Sequence, residues 1–380
     1  MAGPRVTVFG YSTEGYAAAS QMAAKGADVR IIDESASSAV HLNADIAKTY
    51  PDIASLKEDD VLLSMEPIDV AISKAKYLFF APRIRKTGQE IKAEVQLKFK
   101  DAIRPLKKGS SVVFSLPTGF GGNGENAELL QHVTGFEAGR QIRYYYYPLE
   151  AGAPPPRVIG SHGGAGDEVL AGLLATGKKT RPFAAVQASE HLHAMDIMTR
   201  LSAVCNVLEV CRYSRGDLTR EDIPDDDLHD IFLDGMMGGI FDMRALAASI
   251  ETSNSLLYLI NSGIKGVDGY VSRLINEIRA VLKKNEMKAA KTKVAISWKI
   301  DRYAMRGDRL AVLDILMSKL RDYFGDVEAY KDPGSDIFHT DKTTIAVACS
   351  KQDYEHITRT CKGSDMLVVR ANPLCESGWQ

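Results

Sequence analysis

A glycine-rich turn near the start of the chain has the spacing that dinucleotide-binding proteins use. Gly10-Tyr-Ser-Thr-Glu-Gly15 follows the short β-branched run Arg5–Phe9 and precedes an alanine-rich stretch, and Asp33 ends the next apolar run. In such a turn the first glycine permits the bend, and the following helix N-terminus offers free N–H groups to a pyrophosphate. Asp33 would accept hydrogen bonds from a ribose diol and repel a 2′-phosphate, so the pattern predicts an NAD site.

Two residues of the turn depart from this pattern. Ser12 stands at the second glycine, where backbone and pyrophosphate must come closest, and its Cβ crowds that position. Glu14 adds a negative charge beside it. Two interpretations therefore stay open at this point: a dinucleotide site, and a Rossmann scaffold that has lost its cofactor.

The elements that position this turn alternate between strands and helices. A helix is expected over Tyr16–Lys25, ended by Gly26. Further strands are expected at Val29–Asp33, Tyr77–Phe80, Ser111–Ser115, Ile142–Tyr147 and Arg157–Ile159. Such alternation is typical of a mostly parallel sheet with helices on both faces.

The second half of the chain predicts a helical region followed by another α/β unit. Apolar residues at three- and four-residue spacing over Val186–Arg212 indicate a long helix, and the helical pattern continues to about Lys288 with a Gly/Met-rich interruption at Gly235–Gly239. Lys283–Lys293 is expected to be a linker. The second unit comprises a helix, Leu310–Phe324, and the strands Lys293–Trp298, Asp326–Tyr330, Thr344–Ala348 and Met366–Val369. The expected class is α/β, with domains at 1–180, 181–288 and 289–380.

Composition narrows the class of protein. The 380 residues carry 47 basic and 49 acidic side chains, which gives no electrostatic reason to expect nucleic acid or an anionic membrane as a partner. No apolar run approaches the ~20 residues of a membrane helix, and we expect no signal peptide and no catalytic metal. The cysteines are odd in number and scattered, which argues against a disulfide framework and for a reducing cytoplasm: Cys205, Cys211, Cys349, Cys361 and Cys375.

Several segments, in the same order, resemble those of the UDP-glucose/GDP-mannose dehydrogenase family. The clearest are Val294–Lys299 followed by Arg306, with the family's own spacing from Lys299 to Arg306, and then Tyr330-Lys-Asp-Pro333. Weaker counterparts are Ser115–Gly119, Tyr147–Gly152, Pro156–Gly160 and Val369–Asn372.

The resemblance implies both a fold and a set of roles. It implies two Rossmann-like domains joined by a central long-helix region through which two copies form a homodimer. It also implies NAD as cofactor, with Pro82 and Ser115 beside the glycine turn in the cofactor site. A UDP- or GDP-sugar would be the substrate, held by Arg306 and more weakly by Lys299.

The departures from the family are equally informative. Glu190 matches the family's Ala-Glu-x-x-Lys segment, but His193 stands where the lysine belongs. Asp242 and the following Arg-Ala-Leu match the end of the family's catalytic loop, but the loop is shorter here and its cysteine is absent. Relatives use that thiolate for the second of two oxidations. We expect Cys205 and Cys211 to be buried small hydrophobic residues rather than nucleophiles.

Three hypotheses follow. The first is an NAD-dependent oxidoreductase that performs a single hydride transfer, with Glu190, Asp242 and either His193 or Glu150 (through a water) in the catalytic site; an ordinary polar-face histidine is the other interpretation of His193. The second is a non-catalytic pseudoenzyme that binds nucleotide or nucleotide sugar or acts as a scaffold. The third, a branch of the 6-phosphogluconate-like dehydrogenases, is disfavoured by the second α/β unit with its Arg306.

Overall fold

The computed structural model describes residues 3–35, 37–58, 64–86, 88, 90–150, 155–176, 179–214, 222, 231–331, 342–360 and 366–372. Its contacts form two compact units. The first is Met1–Met195 with Ala248–Glu251 and Asp301–Gly307, and the second is Asp196–Ala247, Thr252–Ile300 and Asp308–Gln380. The three-domain division at residues 180 and 288 stays a prediction. Cys361, Cys375 and the predicted motif positions 151–152 and 332–333 lie outside the described residues.

The first unit is built on a nine-stranded sheet. Its strands are β1 (Arg5–Phe9), β2 (Asp28–Asp33), β3 (Ser38–Leu42), β4 (Met65–Pro67), β5 (Tyr77–Phe80), β6 (Ser111–Phe114), β7 (Arg143–Tyr146), β8 (Ile159–Ser161) and β9 (Phe183–Ala185). They lie in the order β4-β3-β2-β1-β5-β6-β7-β8-β9. β1, β2, β5, β6 and β7 are mutually parallel, whereas β3 and β8 run antiparallel to their neighbours β2 and β7. The predicted α/β class and mostly parallel sheet are confirmed.

Strand β1 determines where a ligand could approach the sheet. Val6 and Val8 are fully buried, and the strand pairs with β2 on one side and β5 on the other, with Phe9 opposite both Ile32 and Phe80. The chain therefore changes direction across the sheet at β1, which is the position where open α/β sheets bind ligands at their carboxyl edge. The Gly10–Gly15 turn leaves the sheet at this edge.

Helices cover this sheet: α1 (Thr13–Ala24), α2 (Ala44–Thr49), α3 (Ile53–Glu58), α4 (Ile68–Ser73), α5 (Glu90–Ile103), α6 (Gly122–Thr134) and α7 (Glu168–Leu174). In the first unit, two expected elements have boundaries that are wrong by two residues or more. α1 begins at Thr13 rather than Tyr16, because the Ser12 side chain caps it. The strand expected at Arg157–Ile159 is Ile159–Ser161, because its pairing with β7 joins Gly160 to Tyr146.

The second unit combines long helices with a smaller sheet. The helix α8 (Val186–Ser214) contains the boundary between the two units. Then follow α9 (Leu233–Met237), α10 (Ile240–Ala248), α11 (Ser255–Lys284), α12 (Asp308–Arg321) and α13 (Lys351–Thr360). The strands are β10 (Thr292–Ser297), β11 (Asp326–Tyr330), β12 (Thr343–Ala348) and β13 (Met366–Arg370), all parallel in the order β11-β10-β12-β13.

The apolar core of the second unit is shared by the long helix α11 and the smaller sheet. One face of α11 is buried, including Val267, Leu274 and Ile278, and belongs to one apolar cluster with Val294 and Ile296 of β10. The expected linker at Lys283–Lys293 is shorter than predicted, since α11 continues to Lys284 and β10 begins at Thr292. Among the described residues, no helix is both long and apolar enough to cross a membrane.

Candidate functional site

The backbone of Gly10 lies very close to Ala81 and Pro82, in the loop that follows β5. Its φ is 121°, and a Cβ built there would lie 2.3 Å from the Ala81 carbonyl oxygen and 2.4 Å from the Cα of Pro82. Those distances are far below a normal contact, so only glycine fits this backbone. The structure thus brings Gly10 and Pro82 together, and the loop that follows β5 fills the narrow space at Gly10; the cofactor-binding roles of both residues stay predictions.

Ser12, the residue in place of the second glycine, is the N-cap of α1. Its Oγ donates to the Ala81 carbonyl oxygen at 2.6 Å and accepts the Gly15 N–H at 3.0 Å. A Cβ on Gly15 would lie 2.8 Å from this Oγ, so Gly15 allows the compact cap. The serine therefore joins the turn to the loop after β5, and it is fully buried.

The first turn of α1 has its amides bonded to the chain itself. In the first unit, the Thr13 N–H donates to the Tyr303 carbonyl (2.9 Å), and the Gly15 N–H donates to Ser12 Oγ (3.0 Å). Both belong to the donors that a helix N-terminus offers to a phosphate, whereas the Tyr16 N–H makes the first intrahelical bond, to the Ser12 carbonyl (2.7 Å). Two donors of this helix end thus have acceptors in the first unit.

Glu14 adds a carboxylate to the same helix N-terminus. It is 7% exposed, and its Oε2 accepts the Met305 N–H at 2.8 Å. Burial raises the pKa of Glu14, against the opposing effects of the Met305 N–H and of the positive charge on Arg306. Arg306, predicted to hold the nucleotide sugar, therefore lies in the first unit and interacts with a residue of the glycine turn.

Asp33 lies at the end of β2, as predicted, and has partners of its own. One carboxylate oxygen accepts hydrogen bonds from the amide and hydroxyl of Ser35, and the other lies 3.3 Å from Lys57 Nζ. Burial raises the pKa of Asp33, but the bonds from Ser35 and the charge of Lys57 together hold it below its usual value. Lys57 Nζ also lies 5.0 Å from the ring centroid of Tyr11 and 5.6 Å from that of Tyr303. Lys57 thus lies beside the aspartate that was predicted to bind a ribose.

Residues 301–307, which we call the 301–307 segment, supply Tyr303 and Met305 to this site. The Ile84 N–H donates to the Met305 carbonyl at 2.7 Å. The Arg85 guanidinium donates to the carbonyls of Ala304 (3.0 Å) and Arg302 (2.7 Å). The segment is therefore hydrogen-bonded both to the glycine turn and to the loop after β5.

The candidate catalytic residues of the first unit do not form one cluster around the turn. Glu190 is 3% exposed and accepts the N–H groups of Gly121 (3.0 Å) and Asn123 (2.9 Å), so its charge caps the N-terminus of α6. His193, half-buried on the same helix α8, packs edge-on against Tyr146 with ring centroids 6.3 Å apart. The catalytic roles of Glu190 and His193 stay predictions.

Two further candidates lie at the carboxyl edge of the first sheet. The Ser115 amide donates to the Phe80 carbonyl, and the Ser115 carbonyl accepts the Leu149 N–H, which fixes the serine beside the end of β5. Glu150 follows directly and is half-buried. Their positions are compatible with the predicted side of the sheet, and their roles stay predictions.

The remaining candidates belong to the second unit. Asp242 is 1% exposed on α10, and Lys299 is exposed just after β10. Arg244, the first residue of the Arg-Ala-Leu run that follows the shortened loop, forms ion pairs with Asp268 and Asp308, each at 3.3 Å. Lys299 and Arg306, predicted to act on one substrate, lie in different units.

The thiols of the described residues do not have the environment of nucleophiles. Cys205 and Cys349 are free and buried, and burial raises the pKa of both thiols, which disfavours the thiolate. Cys211 is disulfide-bonded, contrary to the expectation of a chain without disulfides. Over the described residues, no group of three or more His, Cys, Asp or Glu side chains is arranged to hold a metal ion.

Comparison with known proteins identifies the architecture. No family profile and no curated protein matches the sequence. Among solved structures, a UDP-D-ManNAc dehydrogenase from Pyrococcus horikoshii is similar with a TM-score of 0.59 at 13% identity, over 94% of this chain and 93% of that one. The chain has the fold of nucleotide-sugar dehydrogenases.

Two other structures support this assignment. The UDP-N-acetyl-mannosamine dehydrogenase Cap5O from Staphylococcus aureus gives a TM-score of 0.57 at 13% identity, over 97% of this chain and 98% of that one. A UDP-glucose dehydrogenase from Pyrobaculum islandicum gives 0.56 at 12% identity, over 97% and 86%. The resemblance inferred from motifs is therefore supported at the level of the fold.

The residues around the turn do not fit NAD in the arrangement observed. A pyrophosphate needs the α1 amides, of which those of Thr13 and Gly15 are bonded to Tyr303 and Ser12, and it would meet the Glu14 carboxylate. The turn could be found from its glycine spacing, whereas Tyr303 and Lys57 were not among the predicted site residues. Neither residue carries a local signal, because each reaches the turn only through the tertiary fold.

Proposed function

We propose that this chain is a non-catalytic protein with the fold of the nucleotide-sugar dehydrogenases, and that it acts as a scaffold. One observation carries the proposal: the Thr13 N–H, a donor that a dinucleotide pyrophosphate would need, is bonded to the Tyr303 carbonyl of the same unit at 2.9 Å. The position that a cofactor would take is thus used for a hydrogen bond within the protein.

The chemistry of the other candidate residues supports the same proposal. The buried carboxylate of Glu190 accepts the N–H groups of Gly121 and Asn123 and caps α6, which is a structural role. The free thiols Cys205 and Cys349 are buried with raised pKa values. Neither of these two described thiols is therefore suited to a second oxidation through a thiohemiacetal.

Specific observations favour a second candidate, an NAD-dependent oxidoreductase acting once on a UDP- or GDP-sugar. The Gly10–Gly15 turn lies at the carboxyl edge of β1, and Asp33 ends β2 at the position expected for a ribose ligand. The solved structures of similar fold are dehydrogenases by name. This candidate requires that the turn accept a cofactor in solution.

The scaffold proposal includes a homodimer formed through the long helix α8. Three large apolar side chains of α8 are exposed to an unusual degree: Met195 (61%), Val210 (56%) and Tyr213 (89%). Exposed apolar side chains on one long helix favour burial against a second copy.

Isothermal calorimetry and absorbance measurements separate the two candidates. The protein is titrated with NAD and then with a panel of UDP- and GDP-sugars, and the absorbance of reduced nicotinamide is followed in the mixtures. A scaffold gives no heat with NAD and no reduced cofactor, and it sediments as a dimer at micromolar concentration. Heat with NAD followed by cofactor reduction would establish the oxidoreductase instead.

A further inference from the structure

A groove of about 440 Å³ lies in the second unit, between the last turns of α11 and the end of α12. We call it the α11–α12 groove. Apolar side chains line it together with polar and cationic ones, and these residues are Asn276, Arg279, Ala280, Leu282, Lys283, Tyr323 and Phe324. None of them is among the candidate site residues, so the groove is a separate feature of the molecule.

The floor of the α11–α12 groove is apolar and is part of the core. Phe324 is 1% exposed and belongs to the apolar cluster of the second unit, and the half-buried Leu282 packs against that cluster. The N–H groups of Tyr323 and Phe324 both donate to the Leu320 carbonyl, at 3.0 Å and 2.9 Å. Because packing and main-chain bonds hold this floor, the groove is preformed.

The rim of the groove carries exposed cations in a row. Arg279 and Lys283 are one turn apart on α11, so they lie on the same face of the helix. Lys319 of α12 extends the row, since its Nζ donates to Ser272 Oγ of α11 at 3.4 Å. Over the part of the chain that the structure describes, no carboxylate forms an ion pair with any of these three cations.

The carboxylates near the groove do not neutralise this row. Glu277 pairs with Arg273 and Asp268 with Arg244, each at 3.3 Å. Asp322 precedes Tyr323 in the chain but does not line the groove. The positive charge of the row is therefore available to carboxylates from outside the chain.

Tyr323 adds an aromatic surface to the row of cations. It is 45% exposed, and its ring centroid lies 4.0 Å from the Arg279 guanidinium. Tyrosine and arginine are enriched among the residues that dominate protein–protein binding. A single exposed ring gives little stacking surface for a nucleic acid, which also meets a chain with 49 acidic and 47 basic side chains. The chemistry of the groove thus favours a peptide.

We propose that the α11–α12 groove binds an acidic segment of a partner protein, whose carboxylates meet Arg279 and Lys283 and whose apolar side chain packs on Tyr323. From Ser272 to Lys283 the groove face of α11 is about 16 Å long, the length of about five extended residues. A row of this length suits a chain segment better than one small anion. The inference goes beyond the proposed function and does not depend on whether the glycine turn accepts NAD.

A library of random twelve-residue peptides displayed on phage tests the proposal. Selection uses the immobilised full chain and two double variants of equal net charge. Arg279→Gln with Lys283→Gln changes the groove, whereas the control, Lys284→Gln with Arg321→Gln, removes two exposed cations that do not line it. We expect sequences rich in Asp, Glu and large apolar residues from the natural protein and from the control, and none from the groove variant.

Fluorescence anisotropy with one selected, fluorescein-labelled peptide gives the affinities. We expect the groove variant to bind about tenfold more weakly than the natural protein, and the control to stay within about twofold, because only the first loses two charge contacts. Tyr323→Ala should weaken binding to a similar extent.

Four results would overturn the proposal. They are a selection without acidic sequences, equal affinities of the two double variants, tighter binding of a twelve-nucleotide oligo-dT than of the peptide, and a sedimenting dimer that only the groove variant loses. The last result would assign the groove to a second copy of the chain. Reduction of NAD by the natural protein would overturn the proposed function instead and leave the groove experiment unaffected.

Discussion

The close approach at Gly10 gives a prediction that can be worked out in free energy. Gly10→Ala places a Cβ 2.3 Å from the Ala81 carbonyl oxygen and 2.4 Å from the Pro82 Cα, on a backbone with φ of 121°. The unfavourable φ costs about 1–2 kcal/mol. Relief of the overlap requires a backbone shift, which adds about 1–3 kcal/mol. The expected loss in the free energy of unfolding is therefore about 2–5 kcal/mol.

Gly26 provides the matched control in the same unit. Its φ is 85°, and a Cβ built there meets nothing within 4 Å. Gly26→Ala therefore carries the conformational cost alone, about 1–2 kcal/mol. Urea unfolding of both variants, followed by the near-ultraviolet circular dichroism of the buried tyrosines of β7, measures the difference. Equal losses for the two variants would refute the close approach at Gly10.

Two further predictions concern the same turn. Ser12→Ala removes the helix cap and leaves the Ala81 carbonyl without its donor, so we expect the free energy of unfolding in urea to fall by about 2–4 kcal/mol. The control is Asn43→Ala, which removes an exposed helix cap and should lower the free energy of unfolding by about 1 kcal/mol. Equal losses in the two variants would contradict the role of Ser12. Because burial raises the pKa of Glu14, the folded state binds its proton more tightly than the unfolded state does, and stability falls as the pH rises between the two pKa values. Glu14→Gln keeps an acceptor for the Met305 N–H but removes the charge. Its urea unfolding midpoint should therefore exceed that of the natural protein at neutral pH and equal it at pH values below the usual carboxyl pKa. A difference in midpoint that does not change with pH would contradict this reasoning.

Local patterns made much of the fold predictable. The strands at Arg5–Phe9, Tyr77–Phe80 and Asp326–Tyr330 have the predicted bounds, because short apolar or β-branched runs between turn residues report burial in a parallel sheet. The strands β3, β4 and β9 were missed, since Ser38–Leu42, Met65–Pro67 and Phe183–Ala185 lack such a run.

The sequence could not show whether the N–H donors of the glycine turn are already hydrogen-bonded. The bond from Met305 to Glu14 joins residues 291 positions apart, and the donor is a main-chain N–H that almost any residue would supply. A motif records which side chains are present near the turn. It carries no information on whether a distant main-chain carbonyl, such as that of Tyr303, already occupies the donors.

The same solution recurs at other helix N-termini of the molecule. Glu14 lies at the start of α1, Glu190 caps α6, and in the second unit Asp353 lies in the first turn of α13, where its carboxylate accepts the hydroxyls of Ser297 (3.1 Å) and Ser350. The helix dipole attracts such a carboxylate by about 0.3–1 kcal/mol, and at Glu14 the cost of burying the charge outweighs this attraction. It also places negative charge where a phosphate would bind. A single carboxylate of this kind is compatible with a nucleotide site nearby. In both units, therefore, helix ends that could attract a phosphate already hold a carboxylate of the chain itself.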